Sequence, residues 1–176
     1  SRRGGSAFRT SPARGLVGSH EIERTDQGRY RVSCREPTRM GGASIVKLLL
    51  DTHIWVWSLL APENLTGRVA KAIVSKENEL WLSPISTWEL VMLVERKRVF
   101  LDKAVDAWIQ EAMRKAPLRE APITHGVALE TQHVRLPHGD PADRLIAATA
   151  RLLHLTLVTA DERLIGGRGF SVLANR

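Results

Sequence analysis

The chain has 176 residues, 43% hydrophobic and 26% charged, which is enough for one domain with a sizeable core and too few for two. No apolar run approaches the roughly 20 residues of a bilayer span, and the N-terminal arginines lead into no apolar stretch that would read as a secretory signal. The net charge of +7 is uneven: residues 1–39 hold nine arginines against four acids, so the remainder is close to neutral and its basicity is a poor argument for nucleic-acid binding.

Residues 1–44 are rich in Arg, Gly and Ser and show little periodic hydrophobicity. They read as a basic N-terminal arm, expected to be disordered or foreign to the native chain. Only "GLVGSHEIE" and "GRYRVS" have the character to pair locally as strands. Met40 stands just before the first strong strand. A native start there is one reading of the arm, and a functional basic extension is the other; the intact mass of the native protein separates them. Cys34 is the single cysteine, so it can make no internal disulfide and is too little for a structural zinc site. That suits a reducing cytoplasm.

From Ile45 the text alternates. "IVKLLL" reads as a strand buried on both faces, being apolar nearly throughout. "IWVWSLLA" reads as a helix closed by Pro62 and Asn64. "TGRVAKAIVSKEN" follows as a second helix with Thr66 at its N-cap. "ELWLS" is a short strand. "SPISTWELVMLVERKR" is a helix with Ser83 as N-cap, Pro84 in its first position, and Leu90, Val91, Leu93 and Val94 on one face. "DKAVDAWIQEAMRKA" carries Val105, Trp108, Ile109 and Met113 on one stripe. "LREAPI" reads as a strand and "THGVALETQHV" as a short helix. "DPADRLIAATARLLH" is a helix, "LTLVTAD" a strand, "ERLIGGRG" a broken helical turn and "FSVL" a last strand. Trp81, Trp88 and Trp108 are expected in the core. Trp55 and Trp57, two apart on a helix, cannot both face inward, and one of them is expected either at a partner surface or simply partly buried. Strands separated by helices predict a three-layer α/β/α sandwich with a mostly parallel central sheet over residues 45–176.

Open parallel sheets bind ligands at the carboxyl ends of their strands. Asp51 follows the first strand and Asp161 follows "LTLVTA". Ser83 and Ser86 follow "ELWLS", with Glu89 further along that helix. Asp140 and Asp143 begin the helix before "LTLVTAD". Each acid has a plain structural use: Asp51, Asp140 and Asp161 as N-caps, Glu89 in a capping box with Ser86, and Asp143 against a helix dipole. Capping does not explain why all of them fall at one edge. Carboxylates held close raise each other's pKa unless a cation compensates, and Mg²⁺ or Mn²⁺ is the natural cation for oxygen donors. Such ions activate a water and stabilise the leaving oxygen of a phosphodiester displacement. No glycine-rich phosphate loop, nucleophile elbow or Cys/His pair competes with that chemistry. His53, two residues past Asp51, is in place to line the cleft but better suits a helix surface or partner contact, and His133 and His138 fit no local zinc pattern.

"KLLLDTHIWVW", "SPISTWELVMLVERKRV" and "LPHGDPADRLIAATARLLHLTLVTADERL" together resemble a PIN-domain ribonuclease, more narrowly the VapC type of toxin from toxin–antitoxin pairs. The resemblance runs from about Lys47 to Leu173 and leaves residues 1–44 uncovered. It implies a PIN-like sandwich, an acidic pocket for Mg²⁺ or Mn²⁺, cleavage of single-stranded RNA, a homodimer and inhibition by a cognate antitoxin protein. Position by position, it makes Asp51, Glu89, Asp143 and Asp161 the catalytic and metal-binding acids. Asp140 is then a cap or supporting group, Thr159 and Ser86 orient ligands or water, and Arg144 pairs with an acid or meets substrate phosphate. The rival reading is a non-catalytic RNA- or partner-binding module whose acids are helix caps. A DNA nuclease or phosphatase using the same pocket is a second rival.

Overall fold

The computed structural model describes Glu21–Arg24, Tyr30–Ser33 and residues 45–176. β1 (Glu21–Arg24) and β2 (Tyr30–Ser33) pair antiparallel, Glu21 opposite Ser33, so the two patches singled out in the arm do form strands. Cys34, Met40 and the rest of the arm expected to be disordered lie outside the described residues.

The second unit is built on a five-stranded, wholly parallel sheet. Its strands are β3 (Lys47–Leu50), β4 (Glu79–Leu82), β5 (Leu118–Glu120), β6 (Thr156–Thr159) and β7 (Ser171–Ala174), in the spatial order β5-β4-β3-β6-β7. β3 is central and apolar on both faces: Leu48, Leu49 and Leu50 are each at most 1% exposed. Alternation of side chains sends Leu48 and Leu50 one way and Leu49 the other. The two cores follow that split.

On the Leu48/Leu50 side lie α1 (Thr52–Leu60), α2 (Gly67–Val74), α3 (Pro84–Glu95) and α4 (Val105–Lys115), contributing Ile54, Trp55, Val69, Leu90 and Trp108. On the Leu49 side lie α5 (His125–Glu130), α6 (Pro141–Leu152) and α7 (Glu162–Ile165), contributing Val127, Ile146, Ala147, Ala150 and Leu164. This is the expected three-layer sandwich. Among the described residues no helix is long and apolar enough to cross a membrane.

Local signals explain most boundaries. α3 starts where Ser83 accepts from Ile85 N at 3.3 Å, with proline next, and α6 starts where Asp140 accepts from Ala142 N at 2.9 Å, again with proline next. α2 is shorter than its periodicity suggested, ending at Val74. Thr66 does occupy its N-cap, but the hydroxyl bonds to nothing there.

Three expectations about packing need correction. Trp88 is 54% exposed, because α3 turns Ser86 and Leu90 inward and leaves Trp88 on its outer side. Met113 is 44% exposed: the buried stripe of α4 is Trp108, Ile109 and Ala112, and Met113 lies about 95° round the helix from its centre. Trp81 is only half-buried, with Arg119 stacked 5.7 Å from its ring. Of the tryptophan pair on α1, Trp55 is buried, while Trp57 is half-buried against the same core and packs on the exposed His53 at 5.8 Å.

Candidate active site

The chain runs outward from β3 in two directions, to β4 and β5 on one side and to β6 and β7 on the other. β3 and β6 therefore flank the topological switch point, where a parallel sheet leaves a crevice beyond its carboxyl edge. Asp51 N donates to Val158 O at 3.0 Å, which ties the end of β3 to β6 and sets Asp51 beside Thr159. The greasy strand is thus a rigid mount for its terminal acid.

Asp51 is 6% exposed and both its carboxylate oxygens are engaged. Oδ1 accepts from Thr52 N at 2.7 Å, the capping bond, and Oδ2 accepts from Thr159 Oγ1 at 2.7 Å. Burial pushes its carboxyl above the usual range, against the opposing pull of these hydrogen bonds. Glu89 arrives from the neighbouring strand: Leu82 lies opposite Leu50, and α3 starts directly after it. Its Oε2 accepts from Thr52 Oγ1 at 2.6 Å, so one threonine links the first two acids. Burial pushes Glu89 upward as well, with Asp51 adding repulsion.

Asp143 sits in the first turn of α6, 8% exposed, with Oδ2 buried and without a hydrogen-bond partner. Burial, then repulsion from Asp140, Asp161 and Asp51, pushes its carboxyl up to about 7. The nearest basic side-chain nitrogens are His138 Nε2 at 3.4 Å and Arg163 Nη2 at 3.7 Å. Asp161 caps α7 through Arg163 N at 2.8 Å, and its own N–H donates to Thr159 Oγ1 at 3.0 Å. The Arg163 guanidinium grips it with bonds of 2.6–3.1 Å and holds its carboxyl below the usual range.

The fold therefore draws Asp51, Glu89, Asp143 and Asp161 to one edge, close enough to perturb one another's charge. Asp140 is the α6 cap and adds negative charge beside Asp143. Thr159 lies inside the cluster, as the sequence suggested. Ser86 is fully buried and donates to Leu50 O at 3.5 Å, which pins α3 to the end of β3. Arg144 forms no ion pair among the described residues; its Nη1 reaches the carbonyls of Thr131 and Val134 at 3.5 and 3.4 Å. A 3₁₀ turn at Thr131–His133 and its C-cap Val134 offer those carbonyls.

Sequence reasoning passed over Thr52, His138 and Arg163. Thr52 and Arg163 each lie within two residues of a predicted acid, and that adjacency was the available signal. His138 Nδ1 accepts from Asp140 N at 3.2 Å, which leaves Nε2 to carry the proton facing Asp143.

Oxygen-only donors suit a hard divalent cation. Among the described residues no three acidic or imidazole side chains are yet drawn together tightly enough to hold one ion. The carboxylates are turned instead to Thr52, Thr159 and Arg163. The buried, unpartnered oxygen of Asp143, in a cleft of mutually repelling acids, is a donor that fits a divalent ion.

Thr159→Val tests the joint between the acids. It keeps the shape but removes the hydroxyl that orders Asp51 and accepts from Asp161 N. The expected cost is about 1–3 kcal/mol of stability by urea unfolding, with divalent-metal affinity about 10–100-fold weaker by calorimetry.

A parallel sandwich with carboxylates gathered at its switch point is the class that the geometry defines. Within that class the chain belongs to the PIN domain family, whose model matches residues 48–166. It is 39% identical over 120 residues to ribonuclease VapC22 of Mycobacterium tuberculosis (strain ATCC 25618 / H37Rv), a match that covers 66% of this chain and 88% of the relative. Its fold is similar to that of VapBC2 from Rickettsia felis bound to a promoter DNA fragment, with TM-score 0.56 and 19% identity over 73% of this chain and 98% of that one. It is also similar to FitAcB from Neisseria gonorrhoeae, with TM-score 0.52 and 23% identity over 73% of this chain and 97% of that one.

Proposed function

We propose that this chain is a divalent-metal-dependent endoribonuclease that cuts single-stranded RNA and acts as the toxin of a toxin–antitoxin pair. The observation that carries the reading is the convergence of Asp51, Glu89 and Asp143 at the switch point of a PIN domain, with 39% identity to a ribonuclease VapC. Mg²⁺ or Mn²⁺ would be held by Asp51, Glu89 and Asp143, with Asp161 in support. When bound, the ion supplies an activated water and charge compensation at the leaving oxygen. The chain's own residues do the rest. Thr159 and Thr52 hold Asp51 in one orientation, and Thr52 also holds Glu89. β3 and β6 keep those groups on rigid backbone. Asp143 keeps a proton to higher pH than an ordinary aspartate, and it would have to release that proton to hold a cation.

Cognate antitoxin, homodimer and cytoplasmic location belong to the same proposal, and the toxin–antitoxin complexes among the structural neighbours support the first. The binding-module reading accounts for Asp51, Asp140 and Asp161, all of which do cap helices. It leaves Glu89 only its bond from Thr52 and the buried Asp143 only the dipole of α6, since neither caps anything.

Matched single-stranded RNA and DNA oligonucleotides, each with Mg²⁺, Mn²⁺ or EDTA, test the proposal. The expected result is RNA cut only with metal and DNA left intact. Equal cutting of DNA points to a general metal nuclease. Binding with no cutting under any condition points to the non-catalytic module.

A further inference from the structure

Among the described residues, Arg163 is the one arginine or lysine paired with the acid cluster. Its hold on Asp161 is fork-like: Nε lies 3.1 Å from both carboxylate oxygens and Nη2 lies 2.6 Å from Oδ2. The same Nη2 stands 3.7 Å from the unpartnered Oδ2 of Asp143. One guanidinium therefore spans two acids that the metal reading also claims. It is not walled in, since its side chain is 56% exposed and it belongs to a four-residue helix at the cleft rim. A divalent ion drawing on Asp143 and Asp161 takes over the charge that Arg163 now compensates. The freed guanidinium is then at the rim of a phosphodiester site. Its planar fork fits two phosphate oxygens as well as it fits a carboxylate.

We propose that Arg163 is an exchangeable counter-ion of the acid pocket, bound to Asp161 and Asp143 without metal and turned to a phosphate of the RNA once a divalent ion is present. This rests on the metal-dependent ribonuclease reading. It makes metal and arginine competitors, and it couples metal binding to substrate binding with reciprocal effect.

The test uses the full chain, its Arg163→Gln and Arg163→Lys variants, and Mn²⁺ alone as the metal probe. Mn²⁺ is titrated while the unfolding temperature is followed, and kcat and KM are measured on a single-stranded RNA. Arg163→Gln is expected to respond at about three- to five-fold lower Mn²⁺, the size of effect an exposed ion pair gives. The same variant is expected to show KM about ten-fold higher with kcat changed less. Arg163→Lys keeps the charge and should restore the parent's Mn²⁺ response but not its KM, because an ammonium cannot make the fork. A purely structural arginine would not give tighter metal binding together with poorer use of RNA. An unchanged or weakened Mn²⁺ response in Arg163→Gln overturns the competition, and an unchanged KM overturns the phosphate contact. If the parent chain itself does not respond to Mn²⁺, the metal reading fails, and this proposal with it.

Discussion

Asp143→Asn is expected to lower RNA cleavage by at least about a thousand-fold while leaving a folded protein that is more stable than its parent at neutral pH. The two effects share one cause. Asp143 is buried, its Oδ2 has no hydrogen-bond partner, and neighbouring acids repel its charge. Its carboxyl titrates at about 7 in the fold, whereas an unfolded aspartate titrates near about 4. Below about pH 4 the group is protonated in both states and gives no difference. From there to about 7 the folded protein keeps a proton that the unfolded chain has released, so stability falls as pH rises through this window and stays reduced above it. An asparagine never acquires the charge. Unfolding in urea at pH 5 and pH 8, with EDTA present, should show the parent losing stability between the two values and the variant losing less. The expected gain at pH 8 is about 1–2 kcal/mol, discounted for the water that reaches the cleft. A substitution that removes activity by damaging the fold would move stability the other way.

Trp55→Ala is expected to cost about 3–5 kcal/mol, a large share of the stability of a domain this size. Trp55 is 1% exposed and fills the core between β3 and the helices on that face. It meets Trp108 edge-on, with ring centroids 5.7 Å apart at 63°. Its indole Nε1 is buried with no partner, so Trp55→Phe forfeits no hydrogen bond and should cost much less than the alanine variant. Circular dichroism is the signal to follow, because removing a tryptophan alters fluorescence by itself. A double-mutant cycle with Trp108→Leu should give a coupling of about 0.5–1.5 kcal/mol.

The sheet was legible because its strands are short, apolar and bounded by strong helix starts. Ser83-Pro84 and Asp140-Pro141 mark their helices unambiguously, and the unbroken "LLL" before Asp51 can only suit a strand covered on both faces. Helix rotation was less legible. Apolar spacing places Trp88 and Met113 near a buried stripe, but which residues the sheet receives depends on how each helix docks, and both ended outside. The same division holds at the site. Strand ends located the acids, since topology alone brings Asp51 and Asp161 together. The partners of those acids depend on side-chain reach across the fold: Thr52 bonds Glu89 from 37 residues away, and Thr159 bonds Asp51 from 108 away. Arg144 makes no acid pair among the described residues because the carbonyls of Thr131 and Val134 lie within its reach.

The proposed function stands on this acid cluster, loaded with a divalent ion, cutting RNA. The most direct measurement is incubation of total RNA with the full chain in Mn²⁺, in EDTA, and in EDTA followed by excess Mn²⁺, with Asp143→Asn alongside and the cut ends mapped. Discrete cuts should appear with Mn²⁺, vanish in EDTA, return with excess Mn²⁺, and be missing from the variant throughout. Cuts at the same positions in EDTA and with Asp143→Asn would contradict the account.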